Sequence, residues 1–422
     1  MSKKVLIMSA STGGGHNRAA KAMKEEIEKR CINGEYITCE IVDSLKLINT
    51  TMDKIISSGY EKSAKYTPKA WGGVYKISDA NIMSKHEFKG NLFNSLLSSR
   101  LKKLLSKQGF ISITIDPYIP VNIRNKDGKI ININNEANIS LENLKASGYN
   151  YLGPNLFFES EKPRFEAIIT LNQNIKDIYQ LCEKRVRHKI KKAIRSGIEI
   201  YKGSEKDLPI FYDLIKKKYN KPLNYYIDLY NNFNTNIDLY FAKLNTETFV
   251  ITSRLQYERE IETNNNLANK IQNTTKINVK NKLINEKMES DKLVNTYKKN
   301  LVWATNLLKA NPEGLIIGTT LNLSYDNVCY LIIEGFNQNF KTLNSNYLIK
   351  WKMINDYKNR NFKYINLNAV SGEFSKATKY SGLNEMKLGF NSLITEYVGE
   401  FELIISPLPY NLYKNLNKEK KK

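Results

Sequence analysis

Two stretches of this chain carry residue types at spacings that could do chemistry. In "CEKRVRHKIKKAIRSG", residues 182 to 197, helical spacing gathers Lys184, His188, Lys191 and Arg195 on one face, with Arg185, Lys189 and Lys192 beside it. Charge collected opposite an apolar stripe makes a phosphate-binding surface, and a solvated helix face gives the same pattern. In "SASTGGGHNRAAKAM", residues 9 to 23, Gly13, Gly14, Gly15 and His16 follow an apolar run and open a helix. Backbone N–H groups at such a helix start suit a phosphate or a polar headgroup. Glycine also serves a strand-to-helix turn for geometry alone. Tyr225 and Tyr226 are suited either to line a cleft or to pack in a core. Four scattered cysteines and three histidines show no metal-ligand spacing and no nucleophile triad, so no metal is expected.

The bulk numbers bound the class. At 422 residues, 41% hydrophobic and 25% charged, the chain is a folded protein of two or three domains. No apolar run reaches the length of a membrane span and no signal segment opens the chain, so a cytoplasmic location is expected. The net charge of +23 favours polyanions as partners. Only 11 of the 65 basic residues are Arg, so a compositional preference for lysine explains the excess equally well.

Elements that would position these residues follow from periodicity. Residues 4 to 43 read as strand, glycine turn, helix and strand, the first half of a Rossmann-like unit. "SDANIMSKHEFKGN" reads as a junction, and "LFNSLLSSRLKKLLSKQG" as an amphipathic helix closed by Gly109 and followed by the strand "FISITIDP". The strand "EAIITL" leads to one long helix with Ile175, Ile178, Cys182, Val186, Ile190 and Ala193 on its apolar face, closed by Gly197. Ser204 and Asp207 form a capping box after the strand "IEIYKG". Residues 254 to 310 read as an antiparallel helical arm, because two polar helices have no core to enter. Strands "GLIIGTTLNLSY" and "VCYLIIEGF", the helix "LNSNYLIKWKMINDYKNR", the strand "KYINLNAV" and one last strand "EYVGEFELIIS" follow, and the tail "KNLNKEKKK" is expected to fray.

Two resemblances attach to these segments. "KVLIMSASTGGGHNRAAKAMKEEI", with weaker similarity to about residue 77, resembles the start of the monogalactosyldiacylglycerol synthase and diacylglycerol glucosyltransferase family, which has the two-domain GT-B fold. No nucleotide-sugar domain follows it. From about residue 92 to 414 the chain resembles the Fem family, the aminoacyltransferases of peptidoglycan interpeptide bridges. The likeness is carried by "ISITIDPYIP", "RHKIKKAIRSGIEIYKGSEKDLPIFYDLIKKKY", "NYYIDLY" and above all "YSGLNEMKLGFNSLITEYVGEFELII". It implies an α/β (α+β) protein of acetyltransferase-like (GNAT-type) domains with an inserted helical arm, such as FemA-type members carry, behind a partial Rossmann-like GT-B fragment. The expected organisation is a fragment at 1–84, a partial first domain at 85–164 completed by 398–414, and a second domain at 165–397 with the arm at 254–310. The glycosyltransferase-like fragment stands where Fem members carry further first-domain sequence.

The resemblance also implies a reaction: an amino acid moves from its tRNA ester to an amine of the peptidoglycan stem peptide. Aminoacyl-tRNA is then the co-substrate, a lipid-linked or UDP-linked muropeptide precursor the acceptor, and no cofactor is needed. A peripheral contact with the inner membrane face fits a lipid-linked acceptor. Lys387, in "EMKLGF", matches the family lysine placed to stabilise the oxyanion, although Met386 replaces the aromatic residue usual before it. Asp116 matches the family "DP" and is a candidate proton acceptor or amine binder; Asp before Pro also ends strands as plain turn chemistry. Lys184, His188, Lys191, Lys192, Arg195, Tyr225 and Tyr226 are the candidate substrate-binding residues, and Lys270, Lys276, Lys280 and Lys282 of the arm are placed to meet tRNA. The alternatives are glycerolipid glycosyl transfer by the N-terminal segment and a non-catalytic RNA- or precursor-binding protein. Ordinary acetyl-CoA transfer lacks its R/Q-x-x-G-x-G/A loop, since Arg195 to Gly197 has the wrong spacing.

Overall fold

The computed structural model describes residues 3–9, 14–29, 31–32, 35–48, 99–153, 155–159, 162–375 and 377–419. The junction 78–91, Gly13 and the first residues of the helix expected from Leu92 lie outside them.

In chain order the elements begin with β1 (Lys3–Ser9), α1 (Gly14–Lys29), β2 (Cys31–Ile32), β3 (Glu35–Asp43), α2 (Ser44–Ile48) and a helix α3 over 99–107. There follow β4 (Ser112–Ile115), β5 (Pro120–Arg124), β6 (Ile130–Ile133), α4 (Asn135–Ala146), β7 (Asn150–Tyr151), β8 (Phe165–Thr170), α5 (Ile175–Leu181), α6 (Lys184–Arg195) and β9 (Ile198–Lys202). Next come α7 (Leu208–Ile215), α8 (Leu223–Phe233), β10 (Ile237–Leu244), α9 (Thr246–Gln272), α10 (Ile277–Ala310), β11 (Leu315–Tyr325) and β12 (Val328–Phe336). The last are α11 (Ser345–Asn359), β13 (Tyr364–Val370), α12 (Ser381–Leu388), β14 (Leu393–Tyr397), β15 (Phe401–Ile404) and α13 (Pro407–Glu419). The α/β class expected is the one observed.

Two compact units divide the chain: residues 1–119, 134–154 and 398–422 form one, residues 120–133 and 155–397 the other. In the first, β1 and β3 pair in parallel around α1, the strand–helix–strand read from the sequence. This fragment touches the segment after it. Gln108 Nε2 donates to Glu40 at 2.6 Å, Arg100 donates to the Leu47 carbonyl at 3.3 Å, and the apolar side of α3 is buried at Leu101 and Leu105. Gly109 closes α3 with φ +82°, and β15 pairs with both β4 and β7.

The second unit is built on a nine-stranded sheet in the order β6-β5-β14-β8-β13-β12-β11-β10-β9. Its β10–β12 portion is covered on both faces, which is why "IDLYFAKL" of β10 reads as nearly continuous apolar sequence. Alternate residues separate: Leu239 and Phe241 pack with Phe211, Ile215 and Tyr226 of α7 and α8. Tyr240, Ala242 and Leu244 face the opposite cluster, with Val186, Ile190, Ile349, Met353 and Tyr357. Gly197 turns the chain from α6 into β9 at φ +78°, where an added Cβ would sit 2.8 Å from Thr248 Cβ. Gly197→Ala is therefore expected to destabilise the protein by about 1–3 kcal/mol, read as a shift of the urea unfolding midpoint.

Three expectations are corrected. The long helix over 175–195 is two helices. Cys182 and Glu183 leave helical geometry at ψ 142° and 146°, and the Glu183 N–H donates to the Gly389 carbonyl at 2.9 Å, so a tertiary bond replaces one turn. The apolar stripe survives the break because both pieces bury the same side, at Ile178, Cys182, Val186, Ile190 and Ala193. The single last strand is two: β14 belongs to the large sheet and β15 to the small one, with Gly399 at φ +89° between them. Of the tail expected to fray, the part to Glu419 is helical, and residues 420–422 lie outside the described ones.

The arm is the helix pair α9 and α10, beginning at Thr246 rather than 254. Between them Ser290 Oγ donates to Glu260 at 2.6 Å and Asn264 Nδ2 to Asp291 at 2.8 Å. Such pairing inside the arm explains why the sequence is short of large apolar residues there.

Candidate active site

The site is built where β12 and β13 part. These strands pair in parallel only over Val328–Tyr330 against Tyr364–Asn366, although β12 continues to Phe336 and β13 to Val370. β13 departs through a bulge. Asn368 sits at φ +66°, its N–H donates to Asn366 Oδ1 at 2.7 Å, and the register against β8 shifts between Asn366 and Ala369. A bulge frees and re-aims a backbone carbonyl. Here it presents Ala369 O to Lys387, whose Nζ donates to it at 2.7 Å.

Helix α12 brings Lys387 to that point and holds it from several sides. One turn earlier, Asn384 accepts the Ser371 N–H at 2.9 Å and donates to the Ser371 carbonyl at 3.0 Å. One turn later, Ser392 Oγ donates to the Lys387 carbonyl at 2.8 Å. A Cβ on Gly389 would lie 2.6 Å from Val186, so only glycine lets α6 approach this closely. The motif "YSGLNEMKLGFNS" is thus a fastening sequence around one lysine. Lys387 is 6% exposed, and burial pushes its ammonium down to about 7. Glu334 opposes that shift, while Lys350 and Lys218 add to it.

Across the gap, Lys350 of α11 is wholly buried and donates to Glu334 of β12. Beneath, Glu166 accepts from Asn366 at 2.7 Å and from the Tyr397 hydroxyl at 2.8 Å. Glu334 also lines a cavity of about 440 Å³, together with Lys217, Lys218, Gly335, Asn337 and Gln338. Gly335 lets α7 pass close over the strand, since a Cβ there would meet Ile215 at 2.6 Å. A buried ammonium within electrostatic reach of a cavity walled by two carboxylates, Asp213 and Glu334, and two lysines can neutralise a short-lived anion, and Glu334 can hold an incoming amine.

The other residues singled out from the sequence fall in four places. On α6, Lys184, His188, Lys191, Lys192 and Arg195 are exposed, and among the described residues none makes an ion pair with a carboxylate. Arg185 is engaged by Glu183 and Glu385, and Lys189 by the Tyr347 hydroxyl, so both leave that basic surface. Tyr226, expected at substrate, is 1% exposed and packs edge-on against Phe211, making it a core residue; Tyr225 is at the surface. Asp116 follows β4 directly and is half-buried, in the unit that does not contain Lys387. Gly14 and Gly15 open α1 and His16 is exposed on its first turn. Lys270, Lys276, Lys280 and Lys282 are exposed on the arm, Lys282 beside Glu286.

Glu334, Lys350 and Asn384 were not anticipated. Two of them left a signal: a glutamate inside the apolar strand "VCYLIIEGF" and a lysine on the apolar side of "YLIKWKMI" each need a buried partner of opposite charge. No helix among the described residues is long and apolar enough to cross a membrane.

Known proteins resemble both parts. A model of the monogalactosyldiacylglycerol (MGDG) synthase family matches residues 16–115. The aminoacyltransferase FemA of Staphylococcus epidermidis is 22% identical over 331 residues, covering 76% of this chain and 78% of its own. FemA of Staphylococcus aureus strain N315 is 26% identical over 344 residues at the same coverage. Among solved structures, FemX aligns over 75% of this chain and 79% of its own with a TM-score of 0.49 and 17% identity. A GCN5-related N-acetyltransferase from Sphaerobacter thermophilus aligns over 74% of this chain and 67% of its own at a TM-score of 0.32 and 9% identity. The FemAB family model matches residues 72–418, beginning some twenty residues before the stretch read from the sequence, and the chain therefore belongs to the FemAB family, whose relatives named here are aminoacyltransferases.

Proposed function

We propose that the protein moves an amino acid from an aminoacyl-tRNA onto a stem-peptide amine of a lipid-linked or UDP-linked peptidoglycan precursor. The observation that carries this reading is the buried Lys387 ammonium, fastened where β12 and β13 part and within electrostatic reach of the cavity residues Glu334 and Lys218. The tRNA ester is already activated, so positioning and charge stabilisation suffice. The amine attacks the ester carbonyl, a C–N bond forms, and Lys387 donates to the oxygen that becomes anionic. The C–O bond to the ribose then breaks, and the proton lost by the amine ends on the ribose oxygen. Of the carboxylates suited to receive the incoming ammonium, Glu334 shares a unit with Lys387, and Asp116 belongs to the other. The exposed cations of α6 are suited to tRNA phosphates.

The test is transfer of a labelled amino acid from charged tRNA to a muropeptide precursor by the purified full chain. Lys191→Gln/Lys192→Gln/Arg195→Gln is expected to raise the KM for charged tRNA about tenfold at physiological salt, flatten its salt dependence and leave kcat unchanged. The MGDG synthase match motivates the control: sugar passed from UDP-glucose to diacylglycerol, with no aminoacyl transfer, would overturn the proposal.

A further inference from the structure

We infer that α13 is a docking helix for an anionic lipid surface. Its inner side is set by Tyr410, which is buried, donates its hydroxyl to Glu402 of β15 and sends its N–H to the Ser406 carbonyl at 3.1 Å. At about 100° per residue, Leu408 and Leu412 lie roughly 160–200° around the helix from Tyr410. They point away from the protein: Leu408 is 80% exposed and Leu412 66%, with Tyr413 exposed beside them. The sequence repeats leucine at 408, 412 and 416, one helical turn apart, and residues 414–422, "KNLNKEKKK", hold five lysines against one glutamate.

Single exposed leucines are ordinary on protein surfaces. Leu408 and Leu412 on the outer side of a helix, with an aromatic flank and a lysine-rich sequence after them, form the pattern of a helix lying in a membrane interface. The alternatives use only half of it. Nucleic acid would engage the lysines and leave the leucines in water. A second copy of the helix would cover the leucines and bring two lysine-rich segments together. An anionic bilayer takes the leucines below its headgroups and meets the lysines with phosphates, so both halves are satisfied by one partner. The inference does not depend on the reaction proposed above, and it suits an acceptor that is lipid-linked.

The experiment is co-sedimentation of the full chain with unilamellar vesicles of phosphatidylcholine, with and without phosphatidylglycerol. The wild-type protein is expected to bind the anionic vesicles, less at high salt, and to ignore the neutral ones. Leu408→Asp/Leu412→Asp is expected to lower the partition coefficient about tenfold or more. Lys418→Gln/Lys421→Gln/Lys422→Gln is expected to weaken binding to anionic vesicles and remove much of its salt dependence. The aspartates replace exposed side chains, so an unchanged melting curve and unchanged aminoacyl transfer to a UDP-linked acceptor are expected beside the loss. Equal binding of wild type and the aspartate variant would overturn the inference, as would a wild type that binds RNA but no vesicle.

Discussion

Lys387→Met is expected to cut aminoacyl transfer by ~10²–10³ in kcat and at the same time to make the protein more stable. The two effects have one cause. An ammonium in a water-poor gap acts strongly on a developing oxyanion, and its burial is costly before any substrate arrives. Its folded pKa of about 7 lies below the ordinary 10.5, so the cost is present in full below pH 7 and is relieved as pH rises from about 7 to 10.5. Methionine removes that cost but strands the Ala369 carbonyl, leaving a net gain of about 2–4 kcal/mol at pH 6 that shrinks by pH 9. Urea titrations at the two pH values measure it. With the ammonium as the working form, wild-type transfer also declines as pH rises through about 7. Undiminished transfer by Lys387→Met would remove this lysine from the reaction.

The second large effect belongs to Lys350 and Glu334. Lys350 has no exposed surface, and Glu334 is its charge partner. Glu334→Ala leaves that ammonium buried without a counter-charge and is expected to cost about 3–5 kcal/mol. Adding Lys350→Met to the same chain removes the stranded charge and is expected to restore most of the loss, a coupling of about 2 kcal/mol or more in a double-mutant cycle by denaturant unfolding. Glu334 also raises the Lys387 pKa and Lys350 lowers it, so the alkaline decline of transfer in Glu334→Ala should begin at lower pH than in wild type, and adding Lys350→Met should move it back toward the wild-type value. A Glu334→Ala protein as stable as wild type would show the pair to be dispensable.

Much of the molecule was legible because it is local. Gly197 with φ +78°, the Ser204–Asp207 capping box, the α6 stripe from Val186 to Ala193 and the arm all depend on residues within a turn or two of each other. Lys387 was reachable only through the "EMKLGF" resemblance. Taken as a lone residue it is an ordinary surface lysine, and nothing nearby announces that it is buried.

What local patterns determined is where most helices and strands form and which side of each is apolar. What tertiary structure decided is where those patterns stop and which charges meet. The helix over 175–195 breaks because a bond from Glu183 to Gly389, two hundred residues on, outcompetes one helical turn. The last strand splits because Gly399 hands β15 to a different sheet. Lys350 reaches Glu334, and Lys387 reaches Ala369, only after a parallel strand pair has parted and a bulge has turned one carbonyl toward the gap. Periodicity records a residue's side of its own element; whether water is present there depends on what packs against it from elsewhere in the chain.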